Sequence, residues 1–412
     1  MSDPLTAPAE SVFQHAAFVR FWFARVAATI ALQMLAVAVG WQVYALTGSA
    51  LDLGLVGLSQ FLPSIALVLL VGHVADRCDR RGIVRVCQSV EALAAIVLAL
   101  GSAQGWISVH AIFALVFVVG AARAFEAPTM QALLPAVVPE RLLSRAIASS
   151  ATASQAAIIT GPALGGFIYT AGPAVVYSVC ALLFITASLL IASLKLERKP
   201  PAREPPSLAS VFAGVAFIRR HPAMLGAIAL DMFAVLLGGA TALLPIYARD
   251  ILHTGPWGLG LLRSAGAIGA LFTALYLARR PLDGHAGRTM LLAVATFGAA
   301  TIVFGLSEIF ALSVLALAIM GAGDMVSVVI RSTLVQLSTP DDMRGRVNAV
   351  NAMFIGTSNQ LGEFESGVTA ALFGTVPAVV LGGVGTLLVV ALCARIFPDL
   401  ARIDRLDGLR PR

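Results

Sequence analysis

Arg123, Glu126, Asp231 and Asp324 each stand inside a long apolar stretch of this 412-residue chain. A charge at the centre of a membrane-spanning helix costs about 2.5–3.5 kcal/mol on insertion scales, so a residue there calls for a partner, a wet cavity or a proton. The chemistry these side chains offer is proton carriage and ionic contact. A carboxyl that accepts a proton on one side of a membrane and loses it on the other couples solute exit to proton entry, and across about 100 mV each inward charge supplies roughly 2.3 kcal/mol. Arg123 and Glu126 lie three apart on one helical face and either neutralise one another or face a cavity. Asp231 and Asp324 either carry protons or hold structural hydrogen bonds to Ser, Thr or backbone. Glu91 is expected at the rim of its half. Arg263, Glu363 and Glu365 share an outer depth, where they form either a gate ion pair or solvated rim charges.

The elements that position these residues follow from composition. The chain is 58% hydrophobic and 12% charged, with a mean hydropathy of +0.89, far more apolar than a water-facing surface tolerates. The 37 glycines and 20 prolines are spread through the apolar runs, as suits bundled transmembrane helices. Continuous runs without strand-type alternation argue against a barrel. Windows of about twenty residues predict spans near 18–46, 51–75, 82–103, 107–134, 143–170 and 173–194, then 222–248, 257–279, 287–306, 309–336, 343–372 and 375–397. The expected fold is all-α and integral to the membrane: twelve transmembrane helices in two pseudo-symmetric six-helix bundles. The bundles cover 1–194 and 222–412, and a Pro-rich charged linker at 195–221 joins them along the membrane surface. No cleavable signal is apparent at the N-terminus, so the first span is expected to direct insertion. Cys78, Cys87, Cys180 and Cys393 match neither a metal site nor a disulfide framework.

Arg77, Arg80, Arg81, Arg141 and Arg145, the linker cations, and Arg279, Arg280, Arg288, Arg344 and Arg346 all fall on one side, which the positive-inside rule makes cytoplasmic. Both termini are expected there. The net charge of +6 therefore reads as a topology signal, not a nucleic-acid surface. Arg249 beside Asp250 is the exception on the other side, where Trp41, Tyr44 and Trp257 are expected to anchor the interface. "PERLLSRAIA" from Pro139 and "PDDMRGRVNA" from Pro340 are offset by 201 residues, pairing Arg145 with Arg346. The same offset superposes Gly120 on Gly321, Gly161 on Gly362, Gly166 on Gly367 and Arg123 on Asp324. A parallel repeat of this kind places a binding site near the midplane, between the halves.

"GHVADRCDRR" packs Gly72, Asp76, Arg77, Arg80 and Arg81 at the end of the second span. Gly72 permits close helix approach, and Asp76 suits the positive end of a neighbouring helix. This pattern resembles the loop signature of the major facilitator superfamily, with Asp79 in place of its second glycine. The resemblance implies a cytoplasmic latch between the second and eleventh spans that breaks when the cavity turns inward. Arg145, Arg344 and Arg346 lie nearby, Thr339 is expected to cap, and Pro340 suits a first turn. Arg123 twelve residues before Pro135 matches a further family motif, although Glu126-Ala127 replaces Gln-Gly. "TGPALGG", with Gly161, Pro162, Gly165 and Gly166, resembles the motif of antiporters, and it also reads as plain helix packing. "WQVYALTGSALDLGLVG" and "LLPIYARDIL" are similar to the branch that includes the enterobactin exporter and macrolide efflux proteins; Leu32 stands where many of that branch carry Asp.

The resemblance covers essentially the whole chain. It implies a monomeric, multi-pass inner-membrane exporter that exchanges protons for a small amphipathic molecule such as a drug or siderophore. Its energy source would be the proton gradient, with no cofactor and no metal. A nutrient symporter or uniporter uses the same fold and is the alternative. A membrane-embedded enzyme is the rival from another class, but the six dispersed histidines offer no metal set and no nucleophile with its base.

Overall fold

The computed structural model of the chain describes residues 11–67, 70–71, 74, 77–194, 208–280 and 284–404. Among the described residues, the α-helices before the linker are α1 (Ala16–Thr47), α2 (Ala50–Ala66), α3 (Arg80–Gln104), α4 (Val109–Leu133), α5 (Leu143–Tyr169) and α6 (Pro173–Ala192). Short polar stops divide them. Ser49, Asp79 and Ser108 cap α2, α3 and α4 by accepting from the N–H groups of Asp52, Arg81 and Ala111. Gly48 (φ 62°) and Gly105 (φ 75°) end α1 and α3 in the left-handed conformation.

Within the linker, α7 (Leu208–Arg219) is a helix packed on the eleventh span, where a Cβ on Gly214 would sit 2.9 Å from the Arg346 carbonyl oxygen. The second half comprises α8 (Pro222–Leu237), α9 (Gly255–Arg279), α10 (Ala286–Leu306), α11 (Phe310–Ser338), α12 (Asp341–Phe373), α13 (Thr375–Ile396) and the short α14 (Pro398–Ala401). After α14 the chain covers the start of α10: the Ala286 and Gly287 N–H groups donate to the carbonyls of Asp404 and Ile403 at 3.0 Å, satisfying donors that the first turn leaves open.

Every predicted span contains or begins with a helix. Nine of the described spans are long and apolar enough to cross a membrane. Of the others, α2 is apolar but described over only 17 residues, while α5 and α12 fall short of that apolarity. For α5 and α12 the shortfall has a physical cause: both run along the seam between the halves, where one face meets protein or an aqueous space instead of lipid. The seventh span is predicted as continuous over 222–248, yet α8 stops at Leu237 and Gly238-Gly239 lead into a 3-10 turn (Ala240–Leu243) and a π turn (Tyr247–Ile251). A Cβ on Gly239 would lie 2.7 Å from the Gly362 oxygen and one on Gly238 2.5 Å from the Phe297 ring. Close packing of two neighbours thus demands glycine where glycine also weakens a helix.

The repeat is visible in the packing. Gly161 of α5 faces Gln33 of α1, and its counterpart Gly362 of α12 faces Leu236 of α8. Gly166 packs on Gly260 of α9, and Gly367 on Gly54 of α2. α5 therefore crosses to α9 and α12 to α2, two equivalent seams joining the halves.

Candidate functional site

The two seams are not closed along their length. Near the ends that carry few arginines, α2, α5, α9 and α12 are largely buried: Gly54, Gly57, Gly165, Gly166, Gly258 and Gly260 are all covered. Toward the arginine-rich ends the same helices show exposed faces, including Leu62 and Ile65 of α2, Ile147 of α5, Tyr276 of α9 and Met353 of α12. The halves meet at one end and part toward the other.

Two cavities lie at the depth where they part. The larger, about 350 Å³, is enclosed mainly by α8 to α12 and contains Arg263, Asp324, Asn359 and Glu363, with apolar walls from Leu262, Phe297, Leu317 and Met320. Gln155 and Ile158 of α5 complete it. Beneath it, Asp231 of α8 and Arg331 of α11 form an ion pair at 3.2 Å, 5% and 3% exposed respectively. The Ser327 hydroxyl donates to Asp231 at 3.1 Å, and the Arg331 guanidinium donates to the Asn351 side-chain oxygen at 3.0 Å. Asp324 stands one helical turn from Ser327, shares a small pocket with Asp231, and makes no hydrogen bond or ion pair among the described residues.

The smaller cavity, about 280 Å³, belongs to the first half and is lined by Arg25, Glu91, Arg123, Glu126, Gln131 and Ser154, among others. The Arg25 Nε donates to Ser154 at 2.9 Å and the Gln88 amide donates to Glu126 at 2.9 Å. Glu91 is 0% exposed and neither carboxyl oxygen has a hydrogen-bond donor. Its charged neighbours are Glu126 and Arg123, and its approach to Glu126 becomes a hydrogen bond only when one of the two carries a proton. Ile158 lines both cavities, so they adjoin at α5.

At the closed end a contact joins the halves directly. The Tyr44 hydroxyl of α1 donates to the Asp250 carboxylate in a short hydrogen bond, the Arg249 guanidinium donates to the Tyr44 carbonyl at 3.3 Å, and it also lies 5.5 Å from the Tyr44 ring. Arg249 is close to Asp250 as well, at 3.8 Å.

Over residues 7–408 the chain matches the family described as transmembrane secretion effector. It belongs to that family of major facilitator superfamily transporters. The enterobactin exporter EntS of Citrobacter koseri is 30% identical over 393 residues, covering 94% of this chain and 93% of the relative. EntS of Shigella boydii serotype 4 is 29% identical with the same coverage. A bacterial homolog of the human lysosomal transporter Spinster, in an inward-facing, unoccupied conformation, superposes with a TM-score of 0.74 at 13% identity, covering 96% of this chain and 98% of that one. The molecule is a multi-pass membrane transporter and not an enzyme.

Within this transporter the residues singled out in the sequence fall into distinct places. Gly72 and Asp76 lie outside the described residues. Arg80 and Arg81 stay in their own half, donating to the Ala132 carbonyl at 3.2 Å and the Leu194 carbonyl at 2.5 Å, the C-terminal ends of α4 and α6. Arg77 is exposed. Arg145 starts α5, and Arg346, exposed on α12, donates to the Met343 sulfur. Thr339 does not cap α12: Pro340 holds the N-cap position, and the Thr339 hydroxyl donates back to the Val335 carbonyl of α11. Arg344 pairs with Asp341 at 2.7 Å.

Gly161, Pro162, Gly165 and Gly166 form the face of α5 that meets α1 and α9, with the Ser264 hydroxyl donating to the Ile159 carbonyl at 2.7 Å beside them. Arg263 and Glu363 do face one cavity, and Glu363 reaches across the seam: a Cβ on Gly57 would lie 2.8 Å from its oxygen. Glu365 points elsewhere and accepts from Thr369 on its own helix. Arg123 and Glu126 share a cavity but form no ion pair among the described residues. Glu91 sits in that cavity and not at the rim, because α3 turns this face toward α4.

Three functional candidates escape the sequence reading. Arg331 is seven residues after Asp324, hence on the same helical face, and the rule that flags charges at membrane depth also applies to it. Arg25 follows the same rule near the start of α1. The Tyr44–Asp250 contact joins residues 206 apart and leaves no local signal.

Proposed function

We propose that the chain is a proton-coupled exporter of a small amphipathic molecule, of the drug or siderophore kind, working by alternating access from the inner membrane with both termini in the cytoplasm. The carrying observation is the pair of adjoining cavities holding buried ionisable groups, placed where the halves part toward the arginine-rich end and sealed from the other. Taking that end as cytoplasmic, this is a loading state: solute enters between the halves, and the Tyr44–Asp250 clasp must open for release. Kinship with proteins named as enterobactin exporters supports the direction and the size class of the solute.

In this reading Asp324 is the exchangeable carboxyl, since it faces the cavity and has no hydrogen-bond or ion-pair partner among the described residues, while Asp231 is held by Arg331 and Ser327. Arg263 and Glu363 stand at the closing seam, and the Arg77–Arg81 loop with Arg145 and Arg346 forms the latch that re-engages when the arginine-rich mouth closes. The proton gradient is the energy source, no cofactor takes part, and a monomer suffices.

The test is solute-triggered proton release from detergent-solubilised protein, screened over siderophores and amphipathic drugs. Release is expected in the wild type and is expected to vanish in Asp324→Asn. Release that persists unchanged in Asp324→Asn and in Asp231→Asn, or solute binding with no release at all, would reject the coupling scheme.

A further inference from the structure

The cavity of the first half is electrically balanced but incompletely paired. Its two cations, Arg25 and Arg123, stand beside two carboxyls, Glu91 and Glu126, so with all four ionised it favours an occupant of zero net charge, and an ammonium there would take the place of a proton between the two carboxyls. Arg25 is engaged with Ser154 and Glu126 with Gln88. The groups most open to an occupant are Arg123, which makes no hydrogen bond or ion pair among the described residues, and Glu91, which is fully buried with both oxygens lacking a donor, while Arg25 keeps its charge but is anchored through Nε by Ser154. A buried carboxyl without a donor and a guanidinium without an acceptor are expensive to keep apart in one cavity unless something joins them.

The larger cavity differs. It carries Arg263 against two carboxyls, Asp324 and Glu363, and its remaining wall is mostly apolar. The two meet at Ile158.

We infer that the first-half cavity is a head-group subsite for a zwitterion, with an ammonium donating to Glu91 and a carboxylate or similar anion accepting from Arg123, while the apolar body of the same molecule lies in the larger cavity past Ile158. The inference rests on the exporter reading and names the chemical class of its solute: an amphipath whose polar head joins a cation and an anion a few bonds apart. It also separates the tasks. The first-half cavity recognises the head group, where an ammonium takes the place of a proton between Glu91 and Glu126, and the cavity with excess carboxyl keeps Asp324 for coupling.

The experiment uses the purified full chain in an uncharged detergent at neutral pH, with no gradient. Four probes share one apolar body: O-benzylserine, its methyl ester, its N-acetyl derivative, and the N-acetyl methyl ester. Calorimetric titration should give the zwitterion an advantage of about tenfold or more over each of the other three, the worth of one charge-assisted contact. Glu91→Gln should erase the advantage over the N-acetyl compound and keep that over the ester. Arg123→Gln should do the reverse, and Glu91→Asp should recover part of the preference. Size-exclusion profiles check that each variant is folded. Equal binding of all four probes, no binding of any up to its solubility limit, or the same preference in both variants would overturn the proposal. Because no proton movement is read, a zwitterion preference without proton release leaves this inference standing and removes the coupling scheme, whereas proton release with no head-group preference does the opposite.

Discussion

The two halves place ionisable residues at repeat-related depths and treat them in opposite ways. In the second half, Asp231, Ser327, Arg331 and Asn351 form a chain of contacts of 3.0–3.2 Å, the first three almost wholly buried and Asn351 half-buried. In the first half, Arg123 and Glu91 stand in one cavity without a mutual ion pair. The 201-residue offset that carries Arg123 onto Asp324 carries Met130 onto Arg331, so the cation that locks the second half is a thioether in the first. One half has used its charges to hold α8 against α11, and the other has kept them available. Charge at membrane depth is thus two things, a clamp where the partner is built in and a receptor where it is not.

The largest effect should come from breaking the clamp. Asp231→Asn leaves Arg331 buried with only Asn351 as acceptor, and Arg331→Met leaves Asp231 with only Ser327. Each should cost about 3–5 kcal/mol, because a buried charge loses its counter-ion. The double replacement should recover more than half of that loss. Thermal unfolding in detergent reads all three, and an Asp231→Asn protein as stable as wild type would show that the pair is no clamp.

A second, smaller change sharpens the same point. Asn351→Ala removes one acceptor from Arg331 but leaves the ion pair, so the expected loss is about 1–3 kcal/mol, the range for a hydrogen bond to a charged group. Since Asn351 is on α12, a seam helix, the loss should be greater in the conformation described here than in one with the arginine-rich mouth closed. Spin-label distances across that mouth should therefore shift toward the closed population. A variant that loses stability with no shift would place Asn351 within the half's own framework only.

The spans were legible because lipid imposes a length and an apolarity that any window can measure, and the repeat was legible because Gly120, Gly161 and Gly166 recur with their counterparts at one offset. What the windows missed was decided between helices. The break after Leu237 follows from Gly362 and Phe297 pressing on Gly238-Gly239, and a window that averages over twenty residues cannot register two glycines. Tyr44 reads as an interface anchor until Asp250 is brought beside it from the other half. Glu91 reads as a rim residue because α3 is peripheral as a helix, yet one face of a peripheral helix still looks inward. Arg331, by contrast, was available to the same rule that flagged Asp324, one face and two turns away, and it is the residue that tells a held carboxyl from a free one.

The smallest stability effect is expected in the first half, and its smallness is what the comparison requires. Glu91→Gln and Arg123→Gln each remove a charge that has no ionic partner, so neither should cost more than about 1 kcal/mol, and removing a buried unpaired charge can raise stability. A double-mutant cycle on the two should give a coupling energy of about 0.5–1 kcal/mol, the low end for residues that share a cavity without a direct contact. The same two variants should lose solute export strongly despite melting like wild type. A coupling energy of several kcal/mol would instead mean that Glu91 and Arg123 close on one another in solution. The first half would then hold a clamp of its own, and the distinction between the halves would reduce to the side chains that build it.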